Sequence, residues 1–268
     1  MATVFATALI LAPSLHSHPA SQLLVNSVST LFTEATPGRT SPPIGIPGVG
    51  HTLNLASVPN GGTFIYGMTY SPQPGWFSGL TGRPSPRALS SSFFSCGFCA
   101  TPECAMSDRA IMDRCWSFAG FPGELAIALA SPAYLTHVAI EHVPAESRLS
   151  SAPRDVVIWG LIEGEDNQRK ILQSNDLMPK LLSHFPHRPG KTIPYPSVSS
   201  NVHHFLPIAT FQYSIRSSNL YEVFDIFQEI QDLEIDFGII VLQINSNWGY
   251  PETHLHHLGI FGRTLISM

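Results

Sequence analysis

The clearest pattern of hydrophobic and polar positions in the chain lies between residues 115 and 160. Leu125, Ile127 and Leu129 alternate with alanines, and a second apolar series continues to residue 140. After a polar stretch, residues 156–159 form a β-branched and aromatic run that stops at Gly160. Alternation with a period of two, bounded by Gly, Pro and Ser, predicts half-buried antiparallel strands.

Further strands are predicted in the last third of the chain. Residues 205–215 alternate again, and residues 237–244 (FGIIVLQI) form a nearly continuous apolar run, as in a strand that is buried on both faces. That run ends at the turn cluster 245–249 (NSNWG), and residues 255–261 are a candidate last strand. Many short strands together with one helical insert predict an all-β sandwich or jelly roll.

Two stretches carry helical spacing. Residues 167–184 place their apolar side chains at helical intervals, but Pro179 interrupts the series, so one or two short helices are predicted. Residues 223–230 fit a helical period but are aromatic and β-branched, so both helix and strand remain open there.

Residues 1–95 differ from the rest of the chain in composition. They are rich in Pro, Gly, Ser and Thr, and proline excludes both helix interiors and central strands. Alternating residues between Thr63 and Tyr70 predict one isolated strand, which does not fold by itself. We expect a largely disordered region over 1–95 and a folded domain over 105–262. No heptad repeat is visible, so no coiled coil is predicted.

Composition limits the classes of function. The chain has 268 residues, of which 44% are hydrophobic, enough for a sizeable core, and 12% are charged, against about 25% in an average globular protein. The net charge of −5 does not predict a basic surface, so nucleic acid is not an expected partner. The apolar run 4–12 has no preceding basic residue and is too short to span a bilayer, so neither a secretory signal nor a membrane helix is predicted.

All four cysteines fall in one short segment, as Cys96, Cys99, Cys104 and Cys115. Cys96 and Cys99 have the spacing of the first half of a zinc site, but the second pair is spaced differently. Structural cysteines, free or in disulfides, are the favoured alternative, and the sequence does not choose among three pairings.

Several motifs then occur in a fixed order: CWSFAGFPG, THVAIEHVP, SSAPRDVVIWGL, NSNWGYPE and LGIFG. In order and spacing they resemble a SUN (Sad1/UNC) domain over roughly residues 110–262, in the form with a helical insert found in short SUN-domain proteins of fungi. The resemblance implies a SUN-type, jelly-roll-like β-sandwich in the lumen of the nuclear envelope. There it would bind the C-terminal tail of a KASH-type protein of the outer nuclear membrane, as part of a LINC complex that links nucleus and cytoskeleton. It also implies a tether rather than an enzyme, and usually a homotrimer attached to a membrane.

The resemblance assigns peptide-binding roles to three residues. His142, in the EHVP motif, would line the pocket. Ser151 would bind the terminal carboxylate of the peptide, because a hydroxyl can donate a charge-assisted hydrogen bond to a carboxylate. The family has two tyrosines after its NWG-x-PE motif; here one is missing and His256 replaces the other, so the aromatic wall is altered.

The resemblance also implies a loop that holds a monovalent cation just before the Cys-Trp motif. The matching residues are Ala110, Ile111, Met112, Asp113 and Arg114. In the family a disulfide closes this loop. Cys115 matches its first cysteine, but His254 stands at the second position, so that bridge is not expected. No other cofactor is implied.

Alternative interpretations remain open. A SUN-like fold that no longer binds peptide is compatible with the missing tyrosines, and a carbohydrate-binding jelly roll anchored on Trp248 rests on fold analogy alone. His254 and His256 would share one strand face, but two imidazoles without a third ligand do not make a metal site. No spacing supports a catalytic triad or dyad.

Overall fold

The strands of the sequence pattern form an all-β sandwich. The computed structural model describes residues 53–71, 73–74, 101–107, 114–142, 149–185, 195–197, 204–216 and 221–265, which all belong to the compact unit Ala35–Met268. The strands are β1 Thr63–Phe64, β2 Gln73–Pro74, β3 Trp116–Ala119, β4 Gly123–Glu141, β5 Asp155–Leu161, β6 Phe205–Gln212, β7 Tyr221–Asp225, β8 Asp236–Ile244, β9 Glu252–Leu255 and β10 His257–Thr264. The helices are α1 Glu165–Gln173, α2 Leu177–Ser183 and α3 Gln228–Asp232, with 3₁₀ turns at Val58–Asn60, Tyr66–Met68, Pro102–Met106 and Leu149–Ser151.

The long strand β4 organises the larger sheet. Its first half pairs with β1 and β8, and its second half pairs with β10 and β7, all antiparallel. The register with β8 shifts between Ala128 and Ala133, around Ser131 and Pro132. The sheet continues from β8 through β5 to β6, and a separate sheet has the order β2-β3-β9. The hydrophobic patterns in β4, β5 and β8 therefore predicted real strands.

The core is built from the apolar faces of these strands and from large aromatic side chains. Trp159, Phe118 and Phe237 are among the largest fully buried side chains, and Trp116 is also buried. Gly160 sits where a Cβ atom would lie 2.3 Å from the Phe237 ring, so only glycine allows this close packing. The aromatic residues of the motifs CWSF and VVIWG are thus core residues.

Several predicted boundaries are corrected by the structure. The helical insert is two helices, but the break lies at residues 174–176, and Pro179 belongs to the first turn of α2, where a missing N–H is tolerated. The stretch 223–230, for which helix and strand were both open, contains the end of strand β7 and the start of helix α3. The single last strand predicted over 255–261 is two strands, β9 and β10.

The alternating stretch between Thr63 and Tyr70 is only partly a strand. β1 covers Thr63–Phe64, whereas Tyr66–Met68 form a 3₁₀ turn, and β1 is paired with β4 rather than isolated. The preceding Asn54 is also bonded to β10, so residues 53–71 pack on the sandwich. The expectation of disorder over the rest of 1–95 falls largely outside the described residues and stays a prediction.

A buried carboxylate fixes the segment 195–197 to the main sheet. Glu124 is fully buried, and both of its oxygens accept a hydrogen bond from the Ser197 N–H at 2.9 Å. Gln243 Nε2 donates to Glu124 at 2.9 Å, and Gln243 Oε1 accepts from the Trp159 indole N–H at 3.1 Å. Since a buried polar group is costly without partners, this chain of bonds holds β4, β5, β8 and the segment 195–197 in one arrangement.

Candidate functional site

Two of the three residues assigned to peptide binding are in direct contact. His142 directly follows β4, and its Nδ1 lies 3.2 Å from Nδ1 of His256 and 3.3 Å from the backbone oxygen of His254. The two imidazole rings are nearly perpendicular, with centroids 4.6 Å apart. Because a neutral imidazole has one N–H and one acceptor, one nitrogen of the contact donates and the other accepts.

The register of β10 on β4 explains how residues so distant in the chain meet. His257 is paired with Glu141, so the next residues outward, His256 and His142, come to adjacent positions at the same end of the ladder. The side chains of both His142 and His256 are buried, with 1% and 3% of their surface exposed. His256 therefore lies directly beside His142.

Burial also sets the charge of His256. Desolvation, assisted by repulsion from His142 and His254, lowers the pKa of His256 to about 3. His256 is thus neutral at physiological pH and offers hydrogen bonds rather than a positive charge.

Ser151 lies at the same end of the sandwich, in the 3₁₀ turn Leu149–Ser151. This turn packs against β9, the strand that leads to His256, and Ser151 itself is 0% exposed. The N–H groups of Trp248 and Tyr250 both donate to the backbone oxygen of Ser150, at 3.1 and 3.4 Å. The segments that carry His142, Ser151 and His256 therefore converge on one end of the fold.

The turn around Trp248 forms the neighbouring wall. Asn247 organises it, because its Nδ2 donates to the backbone oxygens of Tyr250 (2.8 Å) and Glu252 (3.0 Å), and its Oδ1 accepts from the N–H of Gly249. Gly249 has a φ of +104°, which favours glycine. This confirms the turn predicted at 245–249 and shows that Trp248 is held in a defined position.

Sequence reasoning missed two residues of this wall, Tyr213 and Arg154. The Tyr213 backbone oxygen accepts from the Trp248 indole N–H at 3.2 Å, while its phenol is hydrogen-bonded to the backbone of His142. Burial, followed by the nearby Glu222, raises the pKa of Tyr213, so the phenol stays protonated. The Arg154 guanidinium lies over the Trp248 ring, 4.8 Å from its centroid. Arg154 directly follows the SSAP motif and was within reach of sequence reasoning, whereas nothing in the sequence marked Tyr213.

The proposed cation loop lies almost wholly outside the described residues and stays a prediction. Ala110, Ile111, Met112 and Asp113 lie outside the described residues, and Arg114 is exposed. Next to it, Cys115 is buried and disulfide-bonded, as is Cys104. Cys115 cannot form the family bridge, because position 254 is histidine, and it is instead bonded to another cysteine of the chain. Sulfurs in disulfides are not zinc ligands, and within the described part of the chain no three His, Cys, Asp or Glu side chains are grouped as a metal site requires.

Comparisons with known proteins find a similarity to one family. Residues 100–204 match the family model described as Sad1 / UNC-like C-terminal. The Klaroid protein of Drosophila melanogaster is 41% identical over 76 residues, which is 27% of this chain and 8% of that protein. SUN domain-containing protein 5 of Homo sapiens is 30% identical over 90 residues, 32% of this chain and 24% of that protein. The matches thus span a minor part of these relatives.

A solved structure shows a distant likeness only. The family 32 carbohydrate-binding module from Streptococcus pneumoniae EndoD is 12% identical, with 61% of this chain and 86% of that chain covered and a TM-score of 0.37. At that level the likeness carries no argument about binding. Separately, no helix among the described residues has the length and apolar character needed to cross a bilayer.

Proposed function

Since residues 100–204 of this chain belong to the Sad1/UNC-like (SUN) family, we propose that the protein is a nuclear-envelope tether that binds the C-terminal tail of a KASH-type membrane protein. SUN-domain proteins are in general structural rather than enzymatic, and a binding role fits that class. The observation that carries the proposal is the contact between His142 and His256, which joins two of the three family pocket positions at 3.2 Å.

The cysteines support a lumenal location. Cys104 and Cys115 are both disulfide-bonded, and no cysteine among the described residues is free. Disulfides persist in oxidising compartments and are rare in the cytosol. A domain folded in the lumen continuous with the endoplasmic reticulum is therefore the setting we propose.

The proposed pocket must open before a peptide can reach all three side chains. His142, Ser151 and His256 are buried, while Trp248 is only partly so. Because Ser151 is fully buried, a peptide carboxylate reaches its hydroxyl only if the residues that cover it move. Local rearrangements of this kind are common in regulatory interactions. We therefore expect the peptide to associate more slowly than a peptide that binds to an open groove.

A peptide-binding measurement tests the proposal. Fluorescence anisotropy with an extended, Pro-rich KASH-type C-terminal peptide should show binding to the full chain. The double variant His142→Ala/Ser151→Ala should weaken it by about tenfold or more, because several hydrogen bonds are lost.

The matched control changes the same residue types in the helical insert. Ser183→Ala/His184→Ala removes a serine and a histidine whose contacts lie at Lys180 and Glu229, away from the pocket. Equal affinity of both double variants would refute the pocket assignment. No binding by the unaltered chain would favour a SUN-like fold that has lost this function.

A further inference from the structure

Arg154 lies at this site, and its positively charged guanidinium has no ion-pair partner among the described residues. Its Nε is buried without a hydrogen-bond partner, and within the described residues its guanidinium forms no hydrogen bond or ion pair. A guanidinium has five N–H donors, and buried donors in native proteins are nearly always satisfied. An arginine held in this state is equipped to receive an acceptor from outside.

The backbone and the ring of Trp248 fix where this charge sits. The Arg154 N–H donates to the Ser246 oxygen at 2.8 Å, and the Arg154 oxygen accepts from the Tyr213 N–H at 3.0 Å. With its face over the Trp248 ring, a guanidinium keeps its in-plane N–H groups available for bidentate bonding.

The carboxylate next to Arg154 in the sequence is hydrogen-bonded to other side chains. Asp155 follows Arg154 directly, but its Oδ2 accepts from the Ser246 hydroxyl at 2.6 Å and its Oδ1 from Gln212 Nε2 at 3.0 Å. Within the described residues, Asp155 forms no direct ion pair with the Arg154 guanidinium.

Tyr213 connects this charge to the histidine pair. Its backbone contacts Arg154 and Trp248, while its phenol reaches the backbone of His142. Tyr213 thus bridges the backbones of Arg154 and His142, so a few residues of extended peptide can span the two positions.

We propose that Arg154, supported by Trp248, binds a carboxylate of the peptide that occupies this site, with the peptide's C-terminal carboxylate as the main source. This inference rests on the proposed function. A bidentate arginine–carboxylate pair is charge-assisted and geometrically selective, and it supplies a full charge that the neutral His256 lacks. Ser151, three residues before Arg154, would add a hydroxyl to the same carboxylate.

The test compares three forms of one KASH-type peptide: a free C-terminal acid, a C-terminal amide, and a free acid whose acidic side chains are replaced by amides. For the chain with Arg154→Gln, affinity for the free acid should fall about tenfold or more, with little change for the amide. The affinity of Arg154→Lys for the free acid should lie between those of the unaltered chain and Arg154→Gln, since lysine keeps the charge but not the paired N–H donors of a guanidinium. A loss confined to the peptide with acidic side chains would identify those side chains as the source and overturn the terminal assignment.

Arg263→Gln is the matched control, because that guanidinium also lies over an aromatic ring, Tyr134, at 5.2 Å, and is highly exposed. It should leave all three affinities unchanged. If His142→Ala/Ser151→Ala weakens binding but Arg154→Gln affects acid and amide alike, the inference fails while the proposed function stands.

If the peptide does not bind, a second measurement tests the Arg154 carboxylate site independently of the proposed peptide-binding function. The Arg154 Nε–H resonance is followed by NMR during titration with N-acetylproline and with its amide. A shift with the acid only supports a carboxylate site without a KASH partner, and no shift with either overturns the inference.

Discussion

Replacing Asn54 by alanine should destabilise the whole domain, although this residue lies in a region whose composition predicts disorder. Its side chain is 5% exposed and is bonded to β10. Oδ1 accepts from the Ile260 N–H at 2.9 Å, and Nδ2 donates to the Leu258 oxygen at 3.1 Å. With the bond from the Leu55 N–H to the Ile260 oxygen at 2.8 Å, Asn54 pairs with the edge of β10 as a strand residue would.

The magnitude follows from those two long-range bonds. Alanine at position 54 leaves the Ile260 N–H and the Leu258 oxygen without partners at a covered edge. A net loss of about 1 kcal/mol for each bond, plus the cost of a buried unsatisfied group, gives about 2–4 kcal/mol. This is a large fraction of the about 5–15 kcal/mol that stabilises a typical domain.

Urea unfolding followed by circular dichroism measures this loss. We expect Asn54→Ala to lower the midpoint with an unchanged slope, and a chain that starts at residue 73 to lose more. Asn60→Ala is the control, because its side chain bonds only to Asn54 and Ser57 within the same segment. A free energy of unfolding for Asn54→Ala within about 0.5 kcal/mol of the unaltered chain would refute the argument.

Two further predictions concern buried polar groups. The pKa of His256 is about 3 in the folded chain and 6.5 for the free side chain, so below pH 6.5 only the unfolded chain takes up this proton. Stability should therefore fall by up to about 1.4 kcal/mol per pH unit from pH 6.5 towards pH 3, and His256→Gln should reduce that slope; identical slopes in urea unfolding would contradict this. Glu124→Gln places an amide against the donors of Ser197 and Gln243 and should cost about 1–3 kcal/mol. Glu222→Gln, whose half-buried carboxylate accepts one backbone N–H, should cost clearly less, and equal losses would show that the buried network is not stabilising.

The fold was predictable from the sequence because its strands obey simple periodicity. The alternation in β4 and the continuous apolar run of β8 identified both strands, since side-chain direction alternates along a strand and a doubly buried strand is apolar throughout. The pattern could not reveal that β4 is one continuous strand shared by four partners, because pairing depends on contacts distant in sequence.

The site was predictable only in part. His142, Ser151 and His256 were found through a family resemblance, and the contact between the two histidines depends on a register that joins residues 114 positions apart. Asn54 was missed because a side-chain amide that mimics a strand leaves no hydrophobic pattern. Arg154 was passed over because an arginine after a turn is usually solvated.

The length of β4 has a mechanical consequence. His142 follows directly on this 19-residue strand, which is paired with strands on both sides at residues 127–128, 133–134 and 137–141. A pull transmitted through His142 along the strand axis loads the flanking ladders in shear, so many hydrogen bonds must break at once instead of opening one after another. A ligand anchored at this end would thus be attached to a strand that is loaded in shear on both sides next to the anchor, at residues 137–141.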